Sequence, residues 1–243
     1  MEKIISYPIS AIYYLIFFIF LCIFHPIQWI CLNVFGYQTH KKSVDYLNFF
    51  LVRCTNLLGT TYDFKNLETI PKNVPLIFVA NHQSMYDIIA VIWFMRKHHI
   101  KFVSKKELGK GVPSVSFNLR NGGSILIDRK DSKQAVLEIG KLSKYIETYK
   151  RSALIFPEGT RSKTNIPKKF SETGLKILCK YAPSSHVVPI SINNSWKIVK
   201  YGLFPLSLGN RLTFTVHKSM SVSDFSFEEI MLETERVIVE NLK

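Results

Sequence analysis

His82 and Asp87 stand five positions apart in the run Asn81-His82-Gln83-Ser84-Met85-Tyr86-Asp87. If a strand ends at Ala80 and a helix opens near Met85, the first turn of that helix returns Asp87 to one imidazole nitrogen. That contact fixes the tautomer and frees the other nitrogen to take a proton. Such a pair is a general base with no nucleophile of its own. Ser84 is the nearest hydroxyl, yet it lacks a G-x-S-x-G elbow, and no cysteine is close in sequence. The chemistry that fits is deprotonation of an external hydroxyl and its direct attack, without a covalent enzyme intermediate. The same spacing also suits a capping network at a helix start, with Asp87 merely solvated. His25, His40, His98, His99, His186 and His217 have no comparable neighbours and read as ordinary histidines.

A second run, Pro157-Glu158-Gly159-Thr160-Arg161-Ser162, combines a glycine that lets backbone approach a ligand with an arginine whose fork suits phosphate oxygens. Glu158 is suited to neutralising Arg161 in an empty site or to bonding a ligand hydroxyl. Read alone, the run is equally a surface turn with an Arg-Glu pair. Arg129, at the end of Gly122-Gly123-Ser124-Ile125-Leu126-Ile127-Asp128-Arg129, offers a second fork. From Arg96 to Lys169 there are 18 Lys and Arg against 6 Asp and Glu, so +12 of the chain's net +14 lies around these loops. A local field of that sign calls for an anionic partner: nucleic acid, phospholipid headgroup or phosphorylated metabolite.

The elements that must position these residues form an alternating pattern. Candidate strands are Leu76 to Ala80, Lys101 to Ser104, Ser124 to Ile127, Ala153 to Phe156, Val187 to Ile192 and Leu212 to His217. Candidate helices are Met85 to Lys97, Ser132 to Tyr149, Ser171 to Tyr181 and Phe227 to Asn241, the last opened by a Ser226-x-x-Glu229 capping box. The fold class is α/β, a mixed, largely parallel sheet covered by helices. Ligands gather at the carboxyl ends of strands in such sheets, which is where His82, Arg129 and Glu158 to Ser162 fall.

The amino terminus has a different character. Between Lys3 and Lys41 there is no Asp, Glu, Lys or Arg, and Ile4 to Phe24 is long and apolar enough to cross a hydrocarbon core of about 30 Å. His25-Pro26 is expected to break this helix, leaving a shorter apolar piece, Ile27 to Phe35, before Gly36. No small-residue cleavage site follows, so the segment reads as a membrane anchor and not a removed signal. A hairpin dipped into one leaflet, turning at Pro26, is favoured over a spanning helix. Val44 to Leu58 follows as an amphipathic helix, with Leu47, Phe50, Leu51, Cys54 and Leu58 on one face for either the globular core or the bilayer. The expected division is a membrane-associated segment over 1–60 and a catalytic domain over 61–243. With 243 residues, a two-domain enzyme is disfavoured. Cys22, Cys31, Cys54 and Cys179 show no metal-ligand spacing and read as reduced, mostly buried residues.

Asn81-His82-x-x-x-x-Asp87 followed by Phe156-Pro157-Glu158-Gly159-Thr160-Arg161-Ser162 resembles the glycerolipid acyltransferases, specifically those acting on 1-acylglycerol-3-phosphate. Ile125 to Arg129 is similar to that family's middle block and Val188-Pro189-Ile190 to its fourth, so the resemblance covers about residues 70 to 195. It implies transfer of an acyl group from acyl-CoA or acyl-carrier protein to a lysophospholipid hydroxyl at a membrane surface, with no metal or bound cofactor. On this resemblance His82 is the base and Asp87 its orienting partner, while Arg129, Glu158, Gly159, Thr160 and Arg161 surround the acceptor phosphate. The domain would face the cytoplasm, where the thioester donor is made. One departure is that Ser171-Glu172-Thr173-Gly174 follows Lys168-Lys169-Phe170 where the family often has a further basic residue and a glycine. This bears on the headgroup, and another lyso-lipid, such as a lyso-amino-acid lipid, is the alternative acceptor. A non-catalytic basic module binding membrane or nucleic acid is the other alternative. The intact His-x4-Asp pair and the lack of a nucleic-acid motif weigh against it.

Overall fold

A computed structural model describes residues 2–243; Met1, where the expected membrane-associated segment begins, lies outside the described residues. Two long helices come first, α1 (Glu2–Phe35) and α2 (Tyr37–Thr55), followed by β1 (Thr61–Lys65), β2 (Leu76–Ala80), α3 (Tyr86–Phe94), β3 (Ile100–Lys105), α4 (Val115–Asn121) and β4 (Ile125–Ile127). The remainder is α5 (Ser132–Tyr149), β5 (Ser152–Ile155), α6 (Glu172–Tyr181), β6 (His186–Asn193), β7 (Arg211–Val216), β8 (Met220–Ser221) and α7 (Phe227–Glu240).

The strands form one mixed sheet in the order β1-β7-β6-β2-β5-β3-β4, with β8 also on β6. Strands β2 to β6 run parallel to one another, and β6 turns the sheet by pairing antiparallel with β7 and β8. Every residue of β2 is buried, the uninterrupted apolar run expected of a parallel strand covered on both faces. Its alternation divides the core. Leu76, Phe78 and Ala80 join Tyr13, Leu21, Leu47, Leu51, Tyr86 and Ala90 from α1, α2 and α3. Ile77 and Val79 join Ile139, Leu142, Leu175, Leu178, Ile230 and Ile238 from α5, α6 and α7. Side chains open two of the helices: Asp131 caps α5 by accepting from the Gln134 amide at 2.9 Å, and the expected Ser226–Glu229 capping box opens α7.

Two expectations are corrected at the amino terminus. The chain does not break at His25-Pro26, because α1 continues through both Pro8 and Pro26 to Phe35. Beside Pro26 the helix is braced from outside: the Ser114 hydroxyl donates to the Leu21 carbonyl (2.6 Å) and the Ser114 amide to His25 Nδ1 (3.1 Å). The reversal comes at Gly36, whose φ of 80° is cheap only for glycine, and α2 is therefore the returning arm. The apolar face of α2 meets α1 and the sheet and not open surroundings: Leu47, Leu51, Cys54 and Leu58 are buried, and Phe50 stacks on Phe20 with centroids 4.7 Å apart. Among the cysteines, Cys54 and Cys179 are buried as expected, whereas Cys22 lies on the exposed face of α1 and Cys31 is half-buried; all four are free.

α1 is the one helix among the described residues long and apolar enough to cross a membrane. Ser6, Ser10, Tyr13, Leu21, Phe24 and Gln28 face inward at helical spacing. Ile4, Ile5, Ile12, Leu15, Phe18, Ile19, Ile23, Ile27, Trp29, Ile30, Val34 and Phe35 face outward. Ties run along its middle, as the Leu206 amide donates to Ser10 Oγ (2.9 Å) and the Tyr14 hydroxyl to the Leu203 carbonyl (2.5 Å), in addition to the Ser114 brace.

Candidate active site

His82 is the second residue beyond β2, and the way the chain leaves the sheet determines its position. Asn81 extends the ladder with its side chain: its Nδ2 donates to the Ile192 carbonyl (2.8 Å) and its Oδ1 accepts from the Ile192 amide (2.7 Å). A side-chain amide has a peptide's donor and acceptor, so it supplies one more rung to β6 while the backbone turns away. Two residues on, Gln83 Oε1 accepts from the Ser195 amide at 3.0 Å, pinning the turn to the segment after β6.

Asp87, in the first turn of α3, is fully buried and surrounded by donors. Its Oδ2 accepts from His82 Nδ1 (2.8 Å), the Gln83 amide (2.8 Å) and the Ser84 amide (3.0 Å). Its Oδ1 accepts from the Ser195 hydroxyl, which is 2.6 Å from the Ser84 hydroxyl. A carboxylate only accepts, so the proton on His82 sits at Nδ1 and the lone pair of the imidazole at Nε2. Nε2 has no hydrogen-bond partner among the described residues, and the ring retains partial exposure. Phe156 stacks on the imidazole with centroids 4.1 Å apart and planes at 17°, which fixes the ring plane. The capping-network reading is thus half fulfilled. Asp87 does cap the turn, but it is buried, and the same oxygen orients His82.

The loop after β5 grips the backbone of His82 on both sides. Glu158 Oε1 accepts from the His82 amide (2.7 Å), and the Ser162 amide donates to the His82 carbonyl (2.8 Å). Glu158 Oε2 accepts from the Lys168 amide (2.8 Å), so both carboxylate oxygens serve backbone. Burial pushes the Glu158 carboxyl above its usual range, and the two amide bonds pull against that rise. The Glu158–Arg161 ion pair allowed by the sequence is not formed. Gly159 takes φ +67 with open space where a Cβ would be, and Thr160 Oγ1 accepts from Lys168 Nζ at 2.5 Å.

Arg129 follows β4, and Arg161 lies in the loop after β5; both are exposed and neither is in an ion pair among the described residues. Partial burial lowers the Arg129 guanidinium from its ordinary value, with Glu107 opposing and Arg161 adding to the effect. His82, Arg129 and Arg161 each lie in a loop beyond the carboxyl end of a parallel strand, β2, β4 and β5 in turn. An oriented imidazole with an open nitrogen can deprotonate a hydroxyl, and uncommitted guanidinium forks on loops at the same strand ends suit a phosphate.

A family model described as Acyltransferase matches residues 61–193, more than half the chain and the whole span from β1 to the end of β6. The chain belongs to the acyltransferase family. A 1-acyl-sn-glycerol-3-phosphate acyltransferase of Helicobacter pylori is 33% identical over 174 residues, covering 69% of this chain and 68% of that protein. One of Saccharomyces cerevisiae is 30% identical over 154 residues, covering 61% of this chain and 48% of that protein. The crystal structure of the 1-acyl-sn-glycerophosphate acyltransferase PlsC from Thermotoga maritima superposes with a TM-score of 0.81, covering 99% of this chain and 95% of that one. At 23% identity that likeness is one of fold.

Within this acyltransferase, the residues that sequence reasoning missed are the supporting ones. Ser195, 108 positions from Asp87, carries no local signal. Asn81 was legible as part of a motif but not as a strand rung, and Phe156 as a strand end but not as the platform under the imidazole.

Proposed function

We propose that this acyltransferase moves a fatty acyl group from a thioester donor, acyl-CoA or acyl-carrier protein, to the free hydroxyl of 1-acylglycerol-3-phosphate, giving phosphatidate. The observation that carries this reading is the oriented His82–Asp87 pair beyond the carboxyl end of β2, its Nε2 unpartnered among the described residues, and the loops that carry Arg129 and Arg161 follow the ends of β4 and β5. The names of the Helicobacter and Saccharomyces relatives support the choice of acceptor. The acceptor oxygen attacks the thioester carbonyl as its proton passes to His82 Nε2, and Asp87 stabilises the imidazolium that forms. As the tetrahedral intermediate collapses, the C–S bond breaks and the same proton passes to the departing sulfur, leaving a thiol and a new ester. Arg129 and Arg161 hold the phosphate, Gly159 and Thr160 shape the loop beside it, and Glu158 acts at one remove by holding the His82 backbone.

The segment 1–60 is proposed as the membrane-seated part and 61–243 as the catalytic part. At 1.5 Å per residue, the 34 residues of α1 extend about 51 Å, well beyond a hydrocarbon core of about 30 Å. Their inner face is bonded to the protein from Ser10 to His25, so α1 lies along one leaflet with its outward apolar face in lipid. The basic surface would then face anionic headgroups on the cytoplasmic side.

The test is turnover by purified protein given an acyl thioester and a panel of lyso-lipids, with product identified by mass. His82→Ala is expected to lose nearly all turnover while remaining folded and membrane-bound. Undiminished turnover in that variant overturns the mechanism, and a product other than phosphatidate overturns the acceptor.

A further inference from the structure

At the opposite end of the sheet from His82 lies a cleft between α2 and β3 that the catalytic reading does not use. It is lined by Tyr37, His40, Lys41, Asp45, Arg96 and Lys101, among others. Lys101 pairs across β5 to the level of Ile77, five positions before His82, which sets the cleft roughly 16 Å along the strands from the base.

The charges in this cleft do not balance. Lys101 is 5% exposed, donates to the Gly122 carbonyl and has no carboxylate in contact. Lys41 meets Asp45 at 2.5 Å and also donates to the Arg96 carbonyl. Arg96 rests on the Trp93 ring, and Arg151 on those of Tyr37, Tyr145 and Tyr149. Lys41, Arg96 and Lys101 thus line a cleft whose one lining carboxylate is Asp45, with Arg151 stacked on the lining Tyr37, and burial pushes even the Asp45 carboxyl upward despite Lys41. Burial, then Arg151 and Lys41, pull the Lys101 ammonium down to about 7. Fully buried His40 lines the same cleft with neither ring nitrogen bonded. Unpaired buried donors and uncompensated buried cations are each costly, and an anion seated among them answers both deficits at once.

We propose that this cleft is a second, non-catalytic site that binds a phosphate-class oxyanion, held by Lys41, Lys101 and His40. The same chemistry is available from free orthophosphate and from the phosphomonoester headgroup of a lipid, since the cleft opens beside the first turn of α2, where the returning arm leaves α1.

The test follows thermal unfolding of the full chain in detergent, with inorganic phosphate replacing chloride at constant ionic strength. Wild type and an Arg129→Ala/Arg161→Ala variant are both expected to show a saturable rise in Tm. Lys101→Met keeps the apolar stem and removes the buried charge, and should weaken the phosphate response at least about tenfold. His40→Phe, which preserves volume without ring nitrogens, should weaken it too and stands in if Lys101→Met does not fold. A wild type insensitive to phosphate, a response lost in the Arg129/Arg161 variant, or one retained in both cleft variants overturns the proposal. Flotation with phosphatidylcholine vesicles containing phosphatidate identifies the source. Weaker flotation of Lys101→Met, with free phosphate competing against wild type, marks the headgroup as ligand; equal flotation alongside a lost phosphate response marks the free ion.

Discussion

Glu158→Gln separates two roles for a residue that the sequence alone would place against the substrate. Both Glu158 oxygens accept buried backbone amides, from His82 at 2.7 Å and from Lys168 at 2.8 Å. An amide side chain has one acceptor and one donor, so whichever way it turns, its NH2 faces an N–H. One buried bond is lost and a donor is left opposed by a donor, a cost of about 1–3 kcal/mol. For a chain of this size that lowers Tm by roughly 2–10 °C. The amide most affected belongs to His82, the proposed base. A displacement of His82 on the order of 1 Å costs about 10²-fold in rate. The expected result in initial-rate assays at saturating donor is a fall in kcat on that scale, with little change in the acceptor KM. A Glu158→Gln variant with wild-type Tm and kcat but a raised acceptor KM would refute this reasoning and return the carboxylate to direct ligand contact.

Asp87→Asn retains an acceptor for the two backbone amides but removes the charge, and is expected to lower kcat by about 10²- to 10⁴-fold with the fold intact by circular dichroism. Arg161→Ala should raise the acceptor KM more than the donor KM, and Arg161→Lys should restore it only in part, because an ammonium cannot fork across two phosphate oxygens. Burial, with Lys101, Arg151 and Lys41, pushes His99 down to about 3. The unfolded chain therefore takes up a proton between about 6.5 and about 3 that the folded chain refuses, so stability falls as pH drops through this window. Denaturant titrations at pH 7 and pH 5 should show the fall, and His99→Gln should flatten it. Ile19→Lys with Ile23→Lys, on the outward face of α1, should weaken vesicle flotation without lowering Tm, whereas Tyr13→Ala, on the inward face, should lower Tm by several degrees.

The parts of the fold legible in the sequence are those whose residues obey a single local rule. Strand β2 is apolar at every position because both of its faces are covered, and α7 is opened by the Ser226–Glu229 capping box. β1 escaped because Thr61–Lys65 alternates Thr61, Asp63 and Lys65 with Tyr62 and Phe64, the pattern of an edge strand with one wet face. α4 escaped because Val115–Asn121 is only seven residues long and mostly polar. The site divides in the same way. His82 and Asp87 are close in sequence and could be paired on spacing alone. Ser195 reaches Asp87, and Ile192 pairs with Asn81, only because β6 lies beside β2. His40 and His99 looked ordinary for the same reason: the cations that surround them come from α2, β3 and the start of β5.

The inward stripe of α1 has a practical consequence. Tyr13, Leu21 and Phe24 belong to the same apolar cluster as Leu47 and Leu51 of α2, Phe78 of the central strand and Tyr86 beside Asp87. The helix that carries the greasy outer surface is therefore also a wall of the interior. Cutting the chain after Gly36 to obtain a soluble fragment would exchange one oily surface for another, uncovering the residues that α1 now shields and inviting aggregation. A water-soluble form is better sought by keeping α1 and recolouring only its outer face with polar side chains, which leaves the interior closed beneath the candidate active site.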